Sequence, residues 1–156
     1  MIRPVNEADL AAIDAALRSL GHDLGDPFRA DSETLKMALF GPHPSAWALI
    51  ADGPTAPRGI AVFSPVFSTV RGGAGVYVSD LWVSGDERGN GLGSSLLQAT
   101  AEQAGSLWGA IFMRLAVYDH NTAARALYDR LGFEPAGPET TMVITGQAFE
   151  QMRRPR

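Results

Sequence analysis

The 156-residue sequence contains no cysteine and only one lysine, Lys36. The absence of cysteine excludes a thiol nucleophile, a thiolate metal site and a disulfide framework. The three histidines, at positions 22, 43 and 120, lie far apart and form no local pair of metal ligands, so we expect no metal. A formal net charge of −4 gives no basic surface of the kind that binds nucleic acid or anionic lipid, and we expect neither partner.

Long apolar runs are also lacking. Ala46–Ala51 is among the longest, far short of the ~18–20 residues of a membrane span. Glu7, Asp9 and Asp14 stand where a secretory signal would carry a basic start and an apolar core. We therefore expect a cytoplasmic protein with no membrane segment. The length and a hydrophobic fraction of 46% predict one domain over residues 1–156.

Apolar residues recur at helical spacing in several stretches. The first helix follows the capping pair Asn6 and Asp9 and is predicted to end at Gly21. The second is capped by Asp31 or Ser32 and ends at Gly41. The later predicted helices are Leu92–Gly105, a fourth around 124–131 that ends at Gly132, and a short Gln147–Met152.

Runs rich in β-forming residues, separated by glycine turns, predict a sheet. Pro65 interrupts one of these runs and predicts a bulge there or a strand shorter than the run. The order of helices and strands indicates a mixed α/β fold on a single core. The predicted strands are a short edge strand Ile2–Pro4, an antiparallel meander of Trp47–Ala51, Gly59–Val70 and Val76–Val83, a strand Ile111–Val117, and two weak segments, Glu134–Ala136 and Thr140–Thr145.

The most informative segment joins the last meander strand to the third helix. Glycines at 89, 91 and 93 leave the turn before a helix N-terminus without side chains at these positions. Free N–H groups and the helix dipole attract an anion at such a place. Arg88 adds a positive charge and Ser94 a hydroxyl. A P-loop would need Gly-Lys-Ser/Thr, and the glycine spacing does not fit a dinucleotide fingerprint. A glycine-rich turn without a ligand is the plain structural alternative.

Two motifs together resemble one family. Arg88–Gly93 resembles the Arg/Gln-x-x-Gly-x-Gly/Ala loop of GNAT-type N-acetyltransferases, which holds the pyrophosphate of acetyl-coenzyme A on backbone N–H groups. Val78–Val83 is most similar to the diamine and thialysine acetyltransferase branch. The second family motif is matched, at its usual distance, by Asn121, Ala124, Leu127, Tyr128, Leu131, Gly132 and Phe133.

The resemblance implies a GNAT-like fold: a central, mostly antiparallel twisted sheet with a splayed parallel strand pair, flanked by about four helices. It also implies acetyl-coenzyme A as cosubstrate, with the pantetheine arm between the strands at 81–83 and 114–116. The residues implied to bind it are Leu81, Trp82, Val83, Arg88, Gly89, Asn90, Gly91, Leu92, Gly93, Ser94 and Asn121. The plain reading of Leu81, Trp82 and Val83 is packing in a buried strand.

The implied chemistry is direct acetyl transfer to an amine. Tyr128 matches the family's proton donor to the leaving thiolate, although spacing alone would make it a core tyrosine. A backbone N–H near Val83 would stabilise the oxyanion. Asp80 interrupts an apolar strand and is the candidate base, or the end of a water chain; a structural acid is the alternative. The diamine-like branch has Glu-Asp where this chain has Ser79-Asp80, which argues against a polyamine acceptor.

We therefore predict an acetyl-coenzyme A-dependent N-acetyltransferase that acts on a primary amine of a small molecule. The alternatives are acetylation of a peptide N-terminus or a protein lysine, a non-catalytic acyl-coenzyme A-binding module, and a structural domain without ligand. The family builds its acceptor site near the acidic loop His22–Asp31, for which a solvated loop is the commoner explanation. The family often dimerises, and the weak strand at 140–145 is a candidate exchange edge for a homodimer.

Overall fold

The computed structural model describes residues 1–155. Within them the chain forms two compact units, Met1–Asn121 and a second that begins at Thr122. The second unit contains α4 (Thr122–Leu131) and α5 (Gly146–Arg153). The first unit contains β1 (Ile2–Pro4), α1 (Leu10–Leu24), α2 (Ser32–Phe40), β2 (Trp47–Ala51), β3 (Gly59–Ser68), β4 (Gly73–Val83), α3 (Leu92–Trp108) and β5 (Met113–Leu115).

The strands form one five-stranded sheet in the order β1-β2-β3-β4-β5. Neighbouring strands are antiparallel except for β4 and β5, which are parallel. This confirms the mixed α/β class and its single parallel pair. The assignment of residues 1–156 to one domain stays a prediction.

Each face of the sheet carries its own core. Ile60 and Val62 of β3 face α1 and α2, where they pack with Ile13 and Leu17. Ala61, between them in sequence, faces the other side and packs against Leu92 and Leu96 of α3. Side chains alternate between the two faces along a strand, and directly paired residues share a face. The register between β3 and β4 therefore determines which face each β4 side chain is on.

Glycines end the first helix later than the sequence predicted. Helix α1 does not stop at Gly21 but continues to Leu24, and Gly25 then adopts a left-handed φ of 73°. The Asp26 N–H donates to the Gly21 carbonyl (2.9 Å), so the last turn is closed by a glycine cap four residues beyond the predicted one. The caps at the N-terminal ends of the first two helical segments were predicted correctly. Asn6 and Asp9 form the capping box, and Asp31 caps α2.

No bulge forms at Pro65, but the alternative of a shorter strand holds, since β3 ends at Ser68 and not at Val70. Pro65 stays in β3 opposite Val76, and the register shifts between Val62 and Phe63, which leaves Ser79 of β4 as the extra residue. Strand β2 pairs with β3 only as far as Phe63. Pro65, two positions later, has no N–H to donate, and it is tolerated because no strand pairs with the β2-side edge of β3 there within residues 1–155.

Neither predicted C-terminal strand forms in residues 122–155. Glu134–Ala136 and Thr140–Thr145 are irregular, although the predicted short helix is present as α5. A β-forming sequence needs a neighbouring strand to pair with, and this unit provides none within the described residues. The exchange-edge role of 140–145 stays a prediction.

Candidate active site

Strands β4 and β5 pair only over a short stretch and then part. The parallel pairing covers Val76–Val78, and the Ile111 N–H donates to the Ala74 carbonyl just before it (2.8 Å); within residues 1–155 no strand pairs with residues 79–83 on that side. The Ser84 N–H donates to the Arg58 carbonyl on the β3 side (2.8 Å). Successive N–H groups of a strand point to opposite edges, so the Val83 N–H faces the open edge. An amide-bearing ligand could pair with that edge as an added strand.

The glycine-rich turn follows directly. After a 3₁₀ turn at Gly85–Glu87, Gly89 and Gly91 take φ values of 81° and 82°, which L-residues rarely adopt. Open space surrounds both, so the backbone conformation rather than crowding requires glycine. Gly91 is the N-cap of α3, and no side chain caps the helix.

The start of α3 therefore leaves its amides free. Within residues 1–155, the Gly91 carbonyl is the first acceptor in this turn: the Ser95 N–H and the Ser95 hydroxyl both donate to it (3.1 Å each). The N–H groups at positions 91–94 have no protein acceptor among residues 1–155. Free N–H groups at the positive end of a 17-residue helix are the arrangement that the predicted anion site requires.

Close packing fixes where that helix begins. A Cβ at Gly59 would lie 2.9 Å from Leu96 Cδ1 and from the Trp82 carbonyl, so α3 approaches the sheet more closely than any larger residue would permit. The N-terminus of α3 is thus held against the end of β4 by the buried contacts of Leu92 and Leu96.

The Arg88 side chain forms hydrogen bonds within the protein. Its Nη2 lies 2.6 Å from Asp23 Oδ2 at the end of α1, and its Nε donates to the Val83 carbonyl (3.2 Å). Both side chains are largely exposed, so water screens the pair. The cationic residue predicted for the turn therefore lies beside it but shares its charge with Asp23. Asn90 contributes structure, since its N–H donates weakly to Glu87 (3.4 Å).

The bulge at Ser79 decides the direction of Asp80. Without it, alternation would place Asp80 on the α3 face with Val76 and Val78; with it, Asp80 stands opposite Val62 on the α1/α2 face. The Ser79 Oγ lies 2.8 Å from Asp80 Oδ2. Burial raises the pKa of Asp80, and the charge of Asp26 raises it further, while the Ser79 hydrogen bond opposes both.

Trp82 and its two neighbours point to opposite faces of β4. Leu81 and Val83 pack on the α3 side, whereas Trp82 packs against the α1/α2 core. The Trp82 Nε1 is buried without a protein acceptor in the described residues. The plain packing reading thus holds for all three, and Leu81 and Val83 also border the open strand edge.

The sequence reading missed Tyr118. Its hydroxyl donates to Asp26 Oδ1 at 2.6 Å, and its ring stacks on His120 with centroids 5.3 Å apart and an interplanar angle of 17°. The bond to the Asp26 carboxylate raises the pKa of Tyr118. No sequence signal could have revealed this pair, because the two residues lie 92 positions apart. Asp31, by contrast, is a helix cap.

Asn121 and Tyr128 fall on either side of the unit boundary. Asn121 ends the first unit, and its N–H donates to the Tyr118 carbonyl (2.9 Å). In the second unit Tyr128 is buried, and that burial raises its pKa above the usual phenol value. Its ring contacts Phe133, with centroids 5.5 Å apart. Tyr128 is therefore protonated at neutral pH, as a proton donor must be.

Residues 1–155 contain no metal-ligand cluster and no helix that could cross a membrane. No group of three or more histidine, aspartate or glutamate side chains is arranged to hold a metal ion. No helix in this part of the chain has the length and apolarity needed to cross a membrane.

The parted parallel strands, the free amides of α3 and the open edge of β4 are features that the GNAT resemblance predicts. The model of the acetyltransferase (GNAT) family matches residues 13–133, and the chain belongs to that family and is an N-acetyltransferase.

Named relatives and solved structures agree with this. Thialysine N-epsilon-acetyltransferase of Bos taurus is 32% identical over 142 residues, covering 85% of this chain and 82% of that protein. The Sus scrofa protein of the same name is also 32% identical, with the same coverage. A ribosomal-protein-alanine N-acetyltransferase structure from Brucella melitensis biovar Abortus 2308 matches with a TM-score of 0.72 and 23% identity over 94% of this chain and 99% of that one. An integron cassette protein from V. cholerae matches with a TM-score of 0.78 and 19% identity, over 99% and 98% of the two chains. The two structures show the fold.

Proposed function

We propose that the protein transfers the acetyl group of acetyl-coenzyme A to a primary amine of a small molecule. The observation that carries the proposal is the row of free N–H groups at positions 91–94, set at the end of a strand whose edge is open. A diphosphate needs several converging donors, and a pantetheine arm needs a strand edge for its amides. The chain offers both in one unit, next to each other in sequence.

The proposed cofactor contacts are those that the family resemblance implies, and this geometry supports them. Gly89–Ser94 would hold the diphosphate, and Arg88 would add charge if it leaves Asp23. The Leu81–Val83 edge would pair with the pantetheine amides, and the Val83 N–H would face the thioester carbonyl as an oxyanion donor. Asn121, at the end of the first unit, would contact the arm. These roles are proposals that rest on the free backbone groups and on the motif match.

In the proposed reaction the amine nitrogen attacks the thioester carbonyl carbon. A C–N bond forms, the C–S bond breaks, and coenzyme A leaves as a thiolate. The substrate ammonium group loses two protons overall: one passes through Asp80, directly or by a water, to solvent, and one ends on the thiol, with Tyr128 as the donor. The raised pKa of Asp80 makes it a stronger base than an ordinary aspartate, and the raised pKa of Tyr128 keeps its proton available.

A small amine is preferred because the relatives at 32% identity are named for acetylating thialysine, a small molecule that carries amines. The Brucella neighbour is named for a protein substrate, but at 23% identity it supports the fold alone. Ser79 stands where the diamine-like branch carries a second acid, so we propose an acceptor other than a polyamine.

The test has two stages. Thermal unfolding is measured with and without acetyl-coenzyme A; ligand at ~100 times its Kd should add ~2.7 kcal/mol to the free energy of unfolding. Thiol release is then followed over a panel of small primary amines and N-terminal peptides, and the cysteine-free protein adds no thiol background. An unchanged midpoint at millimolar ligand refutes the proposal. Stabilisation without turnover on any amine would leave only a binding module.

A further inference from the structure

We infer that Tyr118 is a positioning residue for the acceptor amine, acting through Asp26 to hold the loop between α1 and α2 beside Asp80. This inference rests on the proposed function and adds to it a residue that no motif identifies. The hydroxyl of Tyr118 is 2.6 Å from Asp26 Oδ1, a short bond between a neutral donor and a charged acceptor.

The middle of the loop at 25–31 is held by packing: Phe28 and Ala30 contact the α1/α2 core, and the Arg18 guanidinium lies 4.3 Å from the centroid of the Phe28 ring. Backbone bonds tie its start to the last turn of α1, through Gly25 N–H to His22 (3.2 Å) and Asp26 N–H to Gly21 (2.9 Å). Asp31, at its end, caps α2. Among the described residues, the Tyr118 hydroxyl is the group that bonds the loop to the segment following β5. Removing that hydroxyl should therefore loosen the loop without disturbing either helix.

The ring of Tyr118 is itself held in place. The ring stacks on His120, and the backbone carbonyl of Tyr118 accepts from the Asn121 N–H. Tyr118 therefore lies in a tight turn that fixes the direction of its side chain. A phenylalanine there would keep the stack and lose only the hydroxyl. The substitution therefore isolates the bond to Asp26.

The link to the reaction runs from Asp26 to Asp80. The bulge at Ser79 turns Asp80 to the α1/α2 face, opposite Val62. Phe28 and Ala30 of the loop pack against the core on that same face, which includes Val62. The charge of Asp26 also contributes to the raised pKa of Asp80. The loop that Tyr118 holds through Asp26 thus lies on the same face of the sheet as the proposed base. A second tether, between Asp23 and Arg88, holds the preceding turn to the glycine-rich loop. The end of α1 is therefore tied to the segments that follow both parted strands.

The experiment measures steady-state kinetics of Tyr118→Phe with the amine that the wild type acetylates best. We expect KM for the amine to rise about 3- to 10-fold, as the loss of one largely exposed bond to a charged group implies, with KM for acetyl-coenzyme A unchanged. Tyr77→Phe is the matched control, because the Tyr77 hydroxyl of β4 has no protein partner in residues 1–155, and it should keep both KM values.

A double-mutant cycle tests whether Tyr118 acts through Asp26. Asp26→Ala should raise the amine KM like Tyr118→Phe, and the double variant should add nothing further. Asp26→Asn keeps an oxygen that can accept the tyrosine proton and should restore most of the wild-type KM. Additive effects, an unchanged amine KM in Tyr118→Phe, or equal rises in both KM values would each overturn the inference. A wild type that acetylates no amine would instead overturn the proposed function, which separates the two failures.

Discussion

Replacing Gly91 by alanine tests the anion site directly. Gly91 caps α3 with a φ of 82° and has no protein atom near its absent Cβ, so alanine meets strain but no clash. A left-handed conformation costs an L-residue roughly 1–2 kcal/mol, and the stiffer unfolded chain returns about 0.4–1 kcal/mol. We therefore expect a net loss of about 1 kcal/mol, or a Tm lower by about 2–4 °C.

The effect on ligand binding should be larger than the effect on stability. Alanine drives φ toward negative values, which rotates the neighbouring peptide and takes one or two N–H groups off the diphosphate. A hydrogen bond to a charged group contributes about 1.5–3 kcal/mol, so Kd for acetyl-coenzyme A should rise about 10- to 100-fold. Isothermal titration calorimetry measures Kd, and thermal unfolding without ligand measures the loss of stability.

Gly109→Ala supplies the control at the other end of the same helix. Gly109 has a φ of 68° and equally open surroundings, and its N–H closes the last turn of α3 onto Gly105 (3.0 Å). The same strain should lower Tm by a similar amount and leave Kd unchanged. If Gly91→Ala bound acetyl-coenzyme A as tightly as the wild type, or if both variants lost affinity equally, the turn at 91–94 would not be the diphosphate site.

Three further predictions concern single side chains. Tyr128→Phe should lower kcat by ~10- to 10³-fold with little change in Kd for acetyl-coenzyme A, and equal turnover would remove Tyr128 from the mechanism. Asp80→Asn should abolish the acidic limb of the pH–rate profile. Because the folded pKa of Asp80 is raised, the stability that the protonated carboxyl contributes is lost as the pH rises through that pKa. The variant should therefore melt at or above the wild-type temperature at pH 8 and lose that advantage in acid. A lower melting temperature at pH 8 would contradict the buried-charge argument. Asp9→Asn should cost about 1–2 kcal/mol at pH 7, since hydrogen bonding to Arg3 lowers the pKa of Asp9 to about 2, and the difference should vanish as the pH falls toward 2 in acid-unfolding curves; a difference that persists there would point to packing instead.

Much of the local structure was predictable because it depends on neighbours in sequence. The capping box at Asn6 and Asp9, the cap at Asp31 and the turn at Gly89 and Gly91 use residue types whose backbone preferences act over two or three positions. The family motifs lie within the same short range. The sequence therefore determined the mixed α/β class, the conformation of the glycine-rich turn and the family.

The tertiary structure decided the acceptor side, because that side depends on strand register and on residues far apart in the chain. Perfect alternation would put Asp80 under α3, and only the one-residue bulge at Ser79 turns it to the other face. The contact between Tyr118 and Asp26 requires the chain to close a 92-residue interval, which no local pattern encodes. Arg88 was predicted to add a positive charge to the turn, and the acid that it pairs with, Asp23, comes from α1, 65 positions away. Local preference sets the elements, whereas sheet register and long-range contacts set which side chains meet.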